Sequence, residues 1–449
     1  MTKTYVVAGA GFKGFCDCLE LLKQPDCKVY MVDPAPFFGG VIYSSEVHGF
    51  NVDKGVHVFD SIPVDLADVI TEIMGGAVKE IDFVSESAFN GKVTQGYSLP
   101  DLSSMDDCNI KDAITAELVK LASEDHSNDH FRTLRELFDG RYGKTAGSIF
   151  SKIFENIYHV EPNELEAKAL SQTSMGRMKH LSDEEMLVLK SHSWLDTVLA
   201  ARRKSLKVKV DDFVSIYPDT GEAMRGWCER TTQWLQKKGV ELCLGESVVK
   251  ITENSGKAVV KTTKREICAD KVIWANDNVK ALSSAMGFEC DLSDYQHRTS
   301  LVLMTMITEA DKIKDFTYLQ NFDPEAVNYR IASAGIFSGQ VKEDGTSFIT
   351  CECPVELNSE DWNNAEALAG RAWRECKHLG IVSQDATLVH LDIAKIPVAF
   401  KLPKLGYSEQ LDKFRDDVSL RSKNVLFRDV TPFYRREIYL DSLEIGSLL

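Results

Sequence analysis

The chain has 449 residues, 44% hydrophobic and 27% charged, with a formal net charge of −16. That length exceeds what one hydrophobic core usually supports, so two domains are expected, and no long Pro-, Gly- or Ser-rich run suggests a disordered tail. The negative field excludes a nucleic-acid backbone as the expected partner, whereas an anionic small molecule stays compatible because local donors outweigh a screened global field.

In chain order, residues 4–8 form a short apolar run that predicts a strand, followed by glycines and a helix over 12–23 with Phe15, Leu19 and Leu22 at helical spacing. A second strand over 28–33 ends in Asp33 and completes a βαβ unit. Residues 63–214 read as mainly helical, with amphipathic stretches at 110–123, 131–138, 149–158 and 183–190. A helix over 221–238, a strand over 240–244, a hairpin pairing 247–251 with 258–262 and a buried strand over 271–275 follow. Residues 298–307 and 347–353 are rich in β-formers and predict a second sheet, then a helix over 365–379 and strands near 387–393. The expected fold class is α/β: a discontinuous Rossmann-like dinucleotide-binding domain (1–62, 215–290 and 395–449) with an inserted α+β substrate region (63–214 and 291–394).

The eleven cysteines run from Cys16 to Cys376 without a repeated CxxC, so no metal site is expected and they read as buried thiols of a reducing compartment. No stretch of about 18 apolar residues occurs, and the first residues lack a signal's apolar region. The expectation is a cytoplasmic protein without a membrane span.

Gly9-x-Gly11-x-x-Gly14 lies between the first strand and the first helix, the context that gives this pattern its meaning. Gly9 allows the tight turn, Gly11 lets a pyrophosphate approach the backbone, and Gly14 lets the helix pack on the strand. The helix amino terminus supplies N–H groups and a partial positive charge. Asp33, 19 residues after Gly14, is placed to accept from ribose hydroxyls, or simply to cap the turn at Pro34.

After Asp33 come Gly39-Gly40, the adjoining Val41, and then Asp53-x-Gly55-x-His57-x-Phe59. On these residues the chain resembles the FAD family of protoporphyrinogen oxidases, monoamine oxidases, carotenoid desaturases and UDP-galactopyranose mutase. The resemblance implies noncovalent FAD, with Gly9, Gly11, Gly14, Asp33, Gly39, Gly40 and Val41 along the cofactor. It also implies that Val248 meets the adenine, that Ala275 ends the strand returning to this domain, and that Asp429 contacts the ribityl chain. Arg428 stands where relatives usually carry glycine and is expected to crowd a phosphate.

By the same resemblance His57 lies near the flavin, the leading candidate for a catalytic side chain, and Arg330 matches an arginine near flavin or substrate. Their bland alternatives are a packed core histidine and an exposed sheet arginine. Tyr434, Arg435 and Arg436 cluster near the expected cofactor mouth, where Tyr434 is a further catalytic candidate. No GxSxG elbow, HExxH helix or P-loop is present, which leaves hydrolase, zincin and phosphotransferase readings without support. The expected activity is hydride removal from a C–N or C–C bond of a small molecule. The alternatives are a mutase acting on a nucleotide sugar and a non-catalytic flavin-binding protein.

Overall fold

The computed structural model describes residues 2–81, 85–126, 130–201, 213–428 and 434–448. The chain divides into two compact units, one made of residues 1–81, 210–294 and 408–449, the other of residues 82–209 and 295–407.

In the first unit the apolar run becomes strand β1 (Lys3–Ala8), buried from Tyr5 onward. Helix α1 (Phe12–Leu22) is buried over all but its last residue, its charged Lys13, Asp17 and Glu20 included. Strand β2 (Cys27–Asp33) returns parallel to β1. The parallel sheet has the order Glu241–Leu244, β2, β1, Lys271–Trp274, Val425–Phe427. Strand order therefore reverses beside β1, and ligands of such sheets bind outside the carboxyl ends at that switch point. Phe12, Phe15, Phe38 and Phe59 surround Trp227 with ring centroids 6.1, 5.4, 5.6 and 5.1 Å away. These tilted and edge contacts, each worth about 0.5–1.5 kcal/mol beyond burial, fasten α1 to the helix Ala223–Lys237.

The second unit is built on a seven-stranded sheet: His390–Pro403, Gln296–Glu309, Thr346–Val355, Arg330–Ala332, Tyr318–Asn321, Ser85–Phe89, Lys92–Gln95. One face packs Val302, Met304, Ile349 and Cys351 against the helix Ala365–His378. A separate core gathers around Leu134–Tyr158, which is helical on both sides of a break at Gly143, φ 82°. There the Glu117 carboxylate accepts from the Thr145 N–H at 2.9 Å and its hydroxyl at 2.7 Å, capping the second half.

Residues 63–214 are less helical than their sequence predicts. Val78–Glu80, Ser85–Phe89 and Lys92–Gln95 are strands, too short and too polar to show as apolar runs. The expected boundaries also differ from the units. The helix Val64–Ile73 falls in the first unit, and residue 395 lies inside the strand His390–Pro403 of the second. All eleven thiols are free, but Cys108 and Cys268 are exposed rather than buried. Cys268 takes an outward position of an alternating strand, and Cys108 opens a helix whose first residues face solvent. Among the described residues no group of His, Cys, Asp and Glu is placed to hold a metal ion, and no helix is long and apolar enough to cross a membrane.

Candidate cofactor site and the residues around His57

Beyond Ala8 the chain turns through Gly9, whose N–H donates to the Val32 carbonyl at 2.9 Å. The Ala10 N–H donates to Oδ2 of Asp33 and the Ala35 N–H to its Oδ1, both at 2.8 Å. Asp33 thus ties the glycine turn to the loop after β2, the capping role weighed above, and each oxygen keeps a second lone pair for a hydroxyl.

No side chain caps α1 and its first turn holds no acid, so the helix's own residues leave its amino-terminal N–H groups open. A Cβ at Gly11 would meet nothing within 4 Å, whereas one at Gly14 would sit 2.0 Å from the Gly9 carbonyl oxygen. Gly14 is required by packing; Gly11 keeps space open above the helix. Gly39, at φ 116°, donates its N–H to the Ala10 carbonyl at 2.8 Å, and a side chain there would strike the Cys228 sulfur. A Cβ at Gly40 would lie 3.7 Å from the Gly11 Cα, so the glycine pair flanks the same opening. Val41, next in sequence, is 76% exposed although apolar.

Across the switch point the Ala275 N–H donates to the Ala8 carbonyl at 2.9 Å. The Gly245 and Glu246 N–H groups donate to the Ala35 and Asp33 carbonyls at 2.9 and 3.0 Å, two residues before Val248. Gly9, Gly11, Gly14, Asp33, Gly39, Gly40, Ala275 and the approach to Val248 therefore converge on one edge of the sheet. An uncapped helix end, an open backbone cradle and a neighbouring carboxylate fit a dinucleotide. Asp429 lies outside the described residues.

The Asp53-x-Gly55-x-His57 motif resolves into three tasks. Asp53 is 3% exposed and accepts from the Ser44 hydroxyl at 2.6 Å, the Tyr217 hydroxyl at 2.6 Å and the Met224 N–H at 3.2 Å. Ser44 in turn accepts from the Arg225 N–H at 2.8 Å, so a distant loop caps the helix Ala223–Lys237. Burial raises the Asp53 carboxyl to about 6, against the pull of its three donors and of the Arg435 charge. Gly55, at φ 107°, reverses the chain as only glycine does readily. His57 then meets Arg435, whose Nη2 lies 3.0 Å from its Nδ1.

Arg435 opens the carboxyl-terminal helix Arg435–Ser442. Its guanidinium lies 5.8 and 5.7 Å from the Phe12 and Phe59 ring centres. Burial lowers it to about 10, opposed chiefly by Asp53 and Asp60, so it is cationic at neutral pH. Tyr434 precedes this helix, 47% exposed, and it is Arg435 that makes the contact with His57. Arg428, 7% exposed, pairs with the Asp441 carboxylate at 2.7 Å and donates to the Asp441 carbonyl, while Lys13 of α1 pairs with the same carboxylate. Its charge is thus spent on anchoring the helix Arg435–Ser442 to the end of the strand Val425–Phe427, while Lys13 ties the same helix to α1.

Arg330 belongs to the second unit. It pairs with Glu352 at 2.9 Å and lies 5.1 Å over the Tyr329 ring. Burial, the largest single influence, works against its charge, but Glu352 together with Tyr329, Tyr158 and Tyr318 holds the guanidinium above its ordinary value. It is 83% shielded rather than the exposed sheet residue of the bland alternative, its side chain being 17% exposed. Sequence reasoning gave Asp53 no role and placed Arg435 near the cofactor mouth without its contact to His57. Asp53 had a signal, its place in the motif; Arg435 had only its cluster with Tyr434.

Residues 7–72 match the model of an NAD(P)-binding Rossmann-like domain. No curated protein sequence is significantly similar to the chain. Among solved structures, reduced UDP-galactopyranose mutase superimposes with a TM-score of 0.74 at 15% identity, covering 100% of this chain and 93% of that one. A candidate protoporphyrinogen oxidase from Exiguobacterium gives 0.68 at 13% identity, covering 100% and 98%. A putrescine oxidase with a redesigned cofactor site gives 0.60 at 14% identity, covering 100% and 97%. The chain shares the fold of these three solved structures over its whole length. Membership in that fold accounts for the order of elements around Gly9–Asp33, and the neighbours that share it carry enzyme names.

Proposed function

We propose that the first unit binds FAD noncovalently and that the protein is a flavin-dependent oxidoreductase removing hydride from a C–N or C–C bond of a small molecule. The observation that carries this reading is the uncapped amino end of α1 beneath the open cradle at Gly11, with Asp33 beside it. Gly11, Gly39, Gly40 and Val41 would border the pyrophosphate, Asp33 and Val248 the adenosine half, and Ala275 the switch-point side. Bound flavin would supply the redox chemistry; the protein supplies binding, orientation and hydrogen bonds. His57 would serve that end of the site, with Tyr434 at its margin. Arg330, its charge offset by Glu352, would hold a substrate through its remaining N–H groups rather than by net charge. Anaerobic reduction of the flavin by candidate amines, with bleaching of its visible absorbance, tests the redox assignment.

The mutase reading has one specific observation in its favour, the 0.74 TM-score to UDP-galactopyranose mutase. It is separated from the first by chemistry. A mutase would interconvert sugar isomers only with prereduced flavin, with no net consumption of an electron acceptor.

A further inference from the structure

The contact between His57 and Arg435 fixes more than a position. A guanidinium has five N–H donors and no acceptor, and its charge is retained at neutral pH even at the lowered value of about 10. With Nη2 at 3.0 Å, Nδ1 of His57 must present a lone pair, because a proton there would face a donor hydrogen head-on. Arg435 is itself constrained by Phe12 and Phe59, on whose rings its guanidinium lies, and by the nearby Asp53 and Asp60 charges. The helix Arg435–Ser442 that carries it is fastened through Asp441 to Lys13 of α1 and to Arg428 after the strand Val425–Phe427. The donor cannot swing away without undoing those contacts.

We infer that Arg435 is the positioning residue of His57, holding its imidazole neutral with the proton on Nε2, so that the ring acts as a hydrogen-bond donor. The charge state follows from the same geometry: an imidazolium would place two like charges and two opposed donors in contact. The tautomer stands independently of any cofactor; its use in catalysis rests on the flavin reading above. A donor whose proton is fixed in place can stabilise charge developing on a bound cofactor or substrate without itself taking up a proton. That assigns His57 a different task from that of a general base.

The test is nitrogen NMR of the full-length protein labelled at its histidines, at pH 7, with and without added FAD. His57 is identified by the resonances lost in His57→Gln. The expected result is an unprotonated Nδ1 and a protonated Nε2 in the wild type. The same pattern is expected in Arg435→Lys, which keeps a donor, and a mixture of tautomers in Arg435→Met, which has none. A protonated Nδ1 in the wild type overturns the inference, even if both variants fail to fold. A wild-type pattern in Arg435→Met overturns it as well, because the ring would then be fixed by something else. Failure of FAD to bind would sink the flavin reading and leave the tautomer result standing.

Discussion

The hydroxyl of Tyr217 donates to Oδ2 of Asp53 at 2.6 Å, joining the loop that carries His57 to the strand that leads into the helix Ala223–Lys237. Burial raises this carboxyl from 3.8 to about 6. Between those values the folded state binds a proton that the unfolded state has released. The contribution of Asp53 to stability is therefore full below about pH 4 and is lost as pH rises through 6, by about 3 kcal/mol for a shift of this size. Asp53→Asn, which stays neutral and keeps one acceptor oxygen, should remove that component of the slope. Urea unfolding of both proteins from pH 4 to pH 7 measures it, and identical slopes would contradict the assignment.

Two glycines of one motif should fail differently. Gly11 has an extended backbone, φ −91°, and open space where a side chain would go, so Gly11→Val should leave the flavin-free protein's Tm unchanged while abolishing flavin retention. Gly14→Ala should destabilise the fold itself, by about 1–3 kcal/mol or more, because its Cβ meets the Gly9 carbonyl. Thermal melts of both proteins without flavin check this. Equal loss of stability in the two would show that Gly11 serves packing, not a ligand.

Asp33→Ala leaves the Ala10 and Ala35 N–H groups without their acceptor. The expected cost is roughly 1–3 kcal/mol in stability, together with weaker flavin binding, since the turn and the proposed ribose contact depend on the same carboxylate. Denaturant melts and flavin titration separate the two effects. A variant with weakened binding and unaltered stability would argue against the bridging role.

Arg428→Gly introduces the glycine that the sequence resemblance implies at this position, but the structure gives this arginine an anchoring task with Asp441. The expected outcome is a carboxyl-terminal helix more readily clipped by protease and flavin affinity no better than wild type. Tighter flavin binding by the variant would show that the side chain does crowd the phosphate.

The segment from Gly9 to Asp33 was legible because its contacts are local; the Ala10–Asp33 bond spans 23 residues, and strand, turn and helix each leave their own periodicity. The second sheet was legible where its strands are long and apolar, as at Gln296–Glu309, but not at Ser85–Phe89, whose polar residues conceal a buried strand paired on both sides. The strand His390–Pro403 was cut short in the sequence reading because its half-exposed face mixes lysines and prolines among the β-formers. The environment of His57 was least legible. Asp53 meets Met224 across 171 residues and Arg435 meets His57 across 378, and a motif names residue types without naming the atoms they will meet.

The central claim is that the opening above Gly11 holds FAD. Its most direct test is the absorbance spectrum of the purified full-length protein, followed by heat denaturation and identification of whatever is released. The account expects a flavin spectrum, or its appearance on titration with FAD, and release of intact FAD from wild type but not from Gly11→Val. Folded wild-type protein that is colourless and takes up neither FAD nor FMN would contradict it.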